Sequence, residues 1–82
     1  MQYNIVFDKP AQKFILKQPQ AQRKRLLIAI NKLPEEGDTK ALKGRPGYYR
    51  LRVGDFRVIY TIENEKLIIR VVKIGNRGDV YK

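Results

Sequence analysis

Neither cysteine nor histidine occurs anywhere in the 82 residues, and tryptophan is absent as well. Without cysteine there is no disulfide framework and no thiolate nucleophile. Without histidine the commonest metal ligand is missing, and so is the side chain that ordinarily titrates near neutral pH. No metal or other cofactor is expected, and any catalysis falls to Lys, Arg, Tyr or carboxylates. Long apolar runs are lacking too, so no segment reads as a bilayer span. Met1 to Pro10 has no basic region leading into an apolar stretch, which excludes a reading as a signal peptide. The expectation is a soluble chain in the cytoplasm. No linker-like tract divides it, so a single domain over residues 1–82 is expected, too small to enclose a deep catalytic cavity.

Acidic residues are the other scarcity. Eight Asp and Glu face 18 Lys and Arg, a formal net charge of +10, which calls for a polyanionic partner. Against this polarity, 43% of the residues are apolar, enough for one ordinary core.

Tyr3 to Phe7 alternates and is rich in β-branched and aromatic residues, which predicts a first strand. Asp8 is placed to act as an N-cap, and Pro10 suits the first turn of a helix running to about Lys17, with Phe14 and Ile15 or Ala11 inward. Pro19 opens a second helix. Its apolar face is Leu26, Ile30 and Leu33, flanked by Leu27 and Ala29, while Arg23, Lys24 and Arg25 make its start basic. Pro34 to Thr39 holds proline, glycine and acidic residues without an apolar side chain, and predicts a surface loop. Beyond Leu42 the period shifts to alternation, over Tyr48–Val53, Phe56–Glu63 and Lys66–Ile74, with turns at Gly54-Asp55 and Asn64-Glu65. The expected class is α+β: one strand, a helical hairpin, then a three-stranded antiparallel meander (β-α-α-β-β-β), with both helices on one face of the sheet.

A two-residue turn at Gly54-Asp55 sets the pairing. It puts Tyr49, Leu51, Val53, Phe56, Val58 and Tyr60 on one face, under the helices, and Arg50, Arg52 and Arg57 on the other. Carried through Asn64-Glu65, the same register sends Leu67, Ile69 and Val71 to the core, and Ile68, Arg70 and Val72 to the arginine face. There Ile59, Ile68 and Val72 would be exposed apolar surface in want of a partner. No acidic residue is expected in register to neutralise the three arginines, an arrangement that stability alone disfavours. Arginine forks match phosphate oxygens, so the cluster suits a phosphodiester, the bland alternative being a solvated face that keeps a small protein soluble. The terminal segment Gly75 to Lys82 carries Arg77 and Tyr81. It is either a loose tail or a source of a base-stacking ring and a proton-transfer hydroxyl.

Leu42-Lys43-Gly44, the block Tyr48-Tyr49-Arg50-Leu51-Arg52-Val53-Gly54-Asp55-Phe56-Arg57-Val58-Ile59-Tyr60, and Val72-Lys73-Ile74-Gly75-Asn76-Arg77 with Tyr81 together resemble the RelE/ParE toxin superfamily. The resemblance covers nearly the whole chain and implies the toxin of a type II toxin–antitoxin pair. In its RelE-like branch it implies a ribosome-dependent mRNA endoribonuclease, in which a ribose 2′-hydroxyl attacks the adjacent phosphate. The implied site is Arg50, Arg52, Arg57, Arg77 and Tyr81, with Lys43 and Arg45 gripping RNA backbone. The implied partners are the ribosome with its mRNA and a cognate RelB-like antitoxin, in a toxin–antitoxin hetero-oligomer. The two first-strand positions are often lysine in that branch and are Arg50 and Arg52 here. Two alternatives stand beside this: a ParE-like toxin that poisons DNA gyrase without cutting RNA, and a non-catalytic RNA-binding module.

Overall fold

The computed structural model describes residues 3–76. Its elements are β1 (Asn4–Phe7), α1 (Lys9–Leu16), α2 (Gln20–Asn31), β2 (Asp38–Ala41), β3 (Tyr48–Val53), β4 (Phe56–Glu63) and β5 (Ile68–Asn76). The strands form one sheet in the order β1-β5-β4-β3-β2. β1 runs parallel to β5, and the other neighbours are antiparallel. The expected α+β class and the helical hairpin on one face hold.

The core is built between that hairpin and the sheet. Ala11 and Ile15 of α1, and Leu26 and Ile30 of α2 with Leu33 just beyond it, meet Leu51, Val53, Phe56, Val58, Tyr60, Ile69, Val71 and Ile74. The spacing of the apolar helical residues is thus the one read from the sequence. Phe14 meets Phe56 edge-on at 5.8 Å, joining α1 to the turn end of the β3–β4 hairpin, and Tyr49 stacks on Tyr60 at 5.6 Å, joining the two strands near its open end.

Four expectations are corrected. Asp38 and Thr39, expected at the end of a surface loop, instead begin the edge strand β2, whose residues are all exposed. An edge strand is held by its backbone ladder and needs no apolar alternation, so the pattern of side chains does not show it. Asp8 has the extended backbone of an N-cap, but its side chain makes no capping bond. Its carboxylate instead accepts from Arg70 Nη1 at 3.0 Å, tying the start of α1 to β5. The last turn is wider than Asn64-Glu65: Lys66 N–H donates to the Glu63 carbonyl and Leu67 N–H to that of Asn64. Leu67 has φ of 54° there and is only half-buried, outside the core. Finally, β5 carries one extra residue. Tyr60 pairs with Val71 and Ile59 with Lys73, leaving Val72 as a β-bulge that reverses the facing of everything after it.

Burial lifts the Tyr60 hydroxyl above the ordinary tyrosine value of 10.0. The neighbouring Tyr49 adds to this and a hydrogen bond with Thr39 opposes it. An unfolded chain ionises this phenol as pH passes about 10, whereas the folded chain keeps its proton. The stability linked to Tyr60 is therefore complete below that pH and is lost as pH rises through the folded value. Tyr60→Phe is expected to cost about 1 kcal/mol at neutral pH through the lost hydrogen bond. It should also flatten the alkaline decline of the urea midpoint; parallel declines in the two proteins would show that Tyr60 is not the linked group.

Candidate functional site

The predicted Gly54-Asp55 hairpin forms in the expected register, Arg52 opposite Arg57 and Arg50 opposite Ile59. Residues paired across antiparallel strands share a face, with about 5 Å between their Cβ atoms. Continued over β2 and β5, this register gives two rows across the face away from the helices. One is Asp38, Arg52, Arg57 and Gly75; the other is Lys40, Arg50, Ile59 and Lys73. Arg50, Arg52 and Arg57 are thus brought together as the sequence predicted.

The surroundings of these arginines differ from expectation in two respects. An acidic residue does lie in register: Asp38 of β2 stands opposite Arg52. Its carboxylate is 3.7 Å from Arg50 Nη2 and 3.9 Å from Arg52 Nε. At those distances, with Asp38 60% exposed, the pairing is loose and easily exchanged for a stronger anion. Nor is the face greasy. Ile59 is buried, and Ile68 and Val72 are half-buried, because the bulge turns Val72 aside and sends Lys73 out in its place. Arg57 is 9% exposed, yet its only hydrogen bond among the described residues is a long one, 3.5 Å, from Nη1 to the Phe56 carbonyl. Among the described residues it is a buried cation with one weak hydrogen bond.

Lys43 and Arg45 lie in the turn between β2 and β3, inside the sheet's connectivity rather than before it. The Leu42 N–H donates to the Tyr48 carbonyl and the Tyr48 N–H to that of Arg45, closing the turn. Lys43 is exposed and stands apart from the arginine rows. The Arg45 guanidinium stacks over the Tyr48 ring, 5.7 Å from its centre. Tyr48 shares the face of Arg50 and Arg52 by strand alternation, so Arg45 extends the line of arginines along β3. Arg77 and Tyr81 lie outside the described residues. Asn76, the last described residue, stands opposite Phe56, beside Arg57. Asp38, Tyr48 and Lys73 were missed. For Tyr48 the alternation with Arg50 was a usable signal. Asp38 and Lys73 depended on an edge strand and a bulge that side-chain patterns do not encode.

Residues 5–81 match the family model of the ParE toxin of type II toxin–antitoxin systems. The chain is 33% identical over 88 residues to a candidate toxin, RelE1, of Methanocaldococcus jannaschii, covering 100% of this chain and 98% of that protein. The chain belongs to the RelE/ParE toxin superfamily. Two solved relatives agree with this. The RelE chain of the archaeal RelE–RelB complex from Pyrococcus horikoshii superposes with a TM-score of 0.77 at 30% identity, over 96% of this chain and 99% of that one. Isolated E. coli RelE gives 0.72 at 27% identity, over 96% and 90%.

In this RelE/ParE toxin, Asp38 competes with any phosphate for Arg50 and Arg52. A unit charge about 4 Å away in water is worth about 1 kcal/mol, less as salt rises. Asp38→Asn should therefore bind a short single-stranded RNA oligonucleotide up to about fivefold more tightly at low salt. Stability should change by less than about 0.5 kcal/mol. Fluorescence anisotropy showing equal affinities would place the polyanion somewhere other than this face.

Proposed function

We propose that this protein is a ribosome-dependent mRNA endoribonuclease, the toxin of a type II pair, acting in the cytoplasm without a metal and restrained by a cognate RelB-like antitoxin. The observation that carries this reading is the convergence of Arg50, Arg52 and Arg57 on one face of the sheet, with Arg57 buried. Stability gains nothing from such a cluster, whereas a phosphodiester does. When a ribose 2′-oxygen bonds to the adjacent phosphorus and the bond to the 5′-oxygen breaks, negative charge gathers on the non-bridging oxygens. Fixed guanidinium donors in a partly dry site stabilise that charge strongly. The products are a 2′,3′-cyclic phosphate and a 5′-hydroxyl.

Arginine stays protonated at neutral pH, so Arg50 and Arg52 hold charge and orient the hydroxyl without moving a proton. The proton leaving the 2′-hydroxyl, and the one arriving at the 5′-oxygen, are assigned to Tyr81, whose phenol can accept a proton as the phenolate and return it as the phenol. Arg77 supplies a further charge, and Lys43 and Arg45 hold the RNA backbone. The antitoxin is inferred from the solved RelE–RelB complexes of Pyrococcus horikoshii and Methanococcus jannaschii. Burial of Ile59 removes the apolar patch expected on the arginine face. Among the described residues the large apolar side chains left exposed are Leu16 and Ile28, on the helices. A second reading, gyrase poisoning, is favoured by the ParE name of the matching family model.

Primer extension on translated mRNA beside a gyrase supercoiling assay separates the two. Arg57→Ala should reduce mRNA cleavage by about a hundredfold or more, the usual cost of one lost donor to a developing oxyanion. Because Arg57 is buried, Arg57→Lys serves as a control that retains charge and volume. Full cleavage by the Ala variant would remove the site from this face, and supercoiling inhibition without cleavage would move the function to gyrase.

Tyr81 is separately testable. Tyr81→Phe should keep ribosome binding and slow single-turnover cleavage by about a hundredfold, while Tyr81→Ala should also weaken binding by about 1 to 3 kcal/mol of lost stacking. Wild-type rates for both would leave proton transfer to another group.

A further inference from the structure

We propose that Lys73 is a phosphate-contacting residue of this face, holding the RNA strand on the β5 side so that the reacting phosphate lies over Arg57. This rests on the reading of the face as an RNA site. The bulge at Val72 puts Lys73 there. With Ile69 and Val71 in the core, unbroken alternation would send Lys73 inward as well. The extra residue turns it out instead, exposed and opposite Ile59, while Ile74 fills the core opposite Val58.

Ile59 is flanked by Arg50 on β3 and Lys73 on β5. At about 4.8 Å per strand, their backbones stand roughly 10 Å apart. Two residues along β5, the position opposite Arg57 is Gly75, so no side chain rises there to separate Lys73 from Arg57. Arg50, Arg57 and Lys73 thus surround a buried apolar floor from three sides. Among the described residues Lys73 makes no ion pair, and the carboxylate on the β2 side, Asp38, is engaged with Arg50 and Arg52.

A lysine in a sheet commonly protects an edge strand from pairing with another chain. β1 pairs with β5 only over Ile68–Val71, so the β1 side of β5 is open at Lys73, and edge protection alone predicts that KM and salt slope stay unaltered in Lys73→Gln. Like charges set near one another on adjacent strands are unfavourable, and the bulge interrupts the ladder to put Lys73 there. Both costs are explained by an anion that bridges Lys73 and the arginines. A lysine is a compact point charge on a flexible stem, suited to a neighbouring phosphate that must be held but not transformed.

The test is ribosome-dependent cleavage by Lys73→Met, Lys73→Gln and Lys73→Arg, with Arg57→Ala in parallel, over a range of salt concentrations. Lys73→Met and Lys73→Gln should lose about tenfold in kcat/KM through KM, with kcat kept, as for an interaction equal in the ground and transition states. Their salt dependence should become shallower by about 0.7 in logarithmic slope, one single-strand phosphate contact. Lys73→Arg should restore both. Unaltered KM and slope in the Met and Gln variants, with Arg57→Ala inactive, would overturn the role of Lys73 alone. Full activity in Arg57→Ala too would overturn the reading of the face and this proposal with it. Equal thermal midpoints exclude a merely structural effect, which would not alter the salt slope.

Discussion

Side-chain direction in a strand alternates with a period of two, so a single residue gained or lost reverses the face on which every later side chain stands. The arrangement of charge in this protein hangs on two places where that count is set. The first is the turn at Gly54-Asp55. Gly54 has φ of 58°, which a glycine adopts without penalty, and a Cβ there would lie 2.7 Å from Arg25 Nη2. The missing side chain leaves room for the Arg25 guanidinium of α2 to lie against the turn. The second is the bulge at Val72, which resets the count on β5 and carries Lys73 out and Ile74 in.

The two edges of the sheet are secured differently. β1 joins β5 in parallel and is locked by the Asp8–Arg70 ion pair at 3.0 Å, while β2 is a short exposed strand whose Asp38 reaches the arginines only at 3.7 and 3.9 Å. The tight pair fastens a chain crossover, and the loose pair sits where a ligand would need to intrude. Tyr60 supports the loose side from below, buried under β3 and linked to Thr39 of β2.

Much of this was legible in the sequence because it followed from local chemistry. The helical stripe Leu26, Ile30, Leu33 and the glycine turn announce their own periods, and the turn fixed Arg50, Arg52 and Arg57 on one face. What escaped was decided by backbone pairing between distant segments. Nothing in Asp38-Thr39-Lys40-Ala41 marks a strand until β3 is available to pair with it. Nothing in Val71-Val72-Lys73 distinguishes a bulge from plain alternation, since either facing gives Val72 a tolerable environment. The expectation of an apolar open face failed for the same reason, and Asp8 bonded to Arg70, 62 residues away, rather than to its own helix.

The choice of arginine at positions 50 and 52 shapes the chemistry available under the proposed function. A lysine there can exist as a neutral amine and share in proton transfer, whereas a guanidinium is a fixed charge with a fixed fork. Fixed charges contribute equally across the neutral range, so any pH dependence of the reaction must arise in other groups. Because the chain has no histidine, the remaining candidates are tyrosine, carboxylate and the lysines. Of the carboxylates, Asp38 has its oxygens turned to Arg50 and Arg52, at 3.7 and 3.9 Å. Under the proposed function, stabilisation of charge falls to the strands, where register fixes geometry, and proton transfer is left to a group other than Arg50 and Arg52.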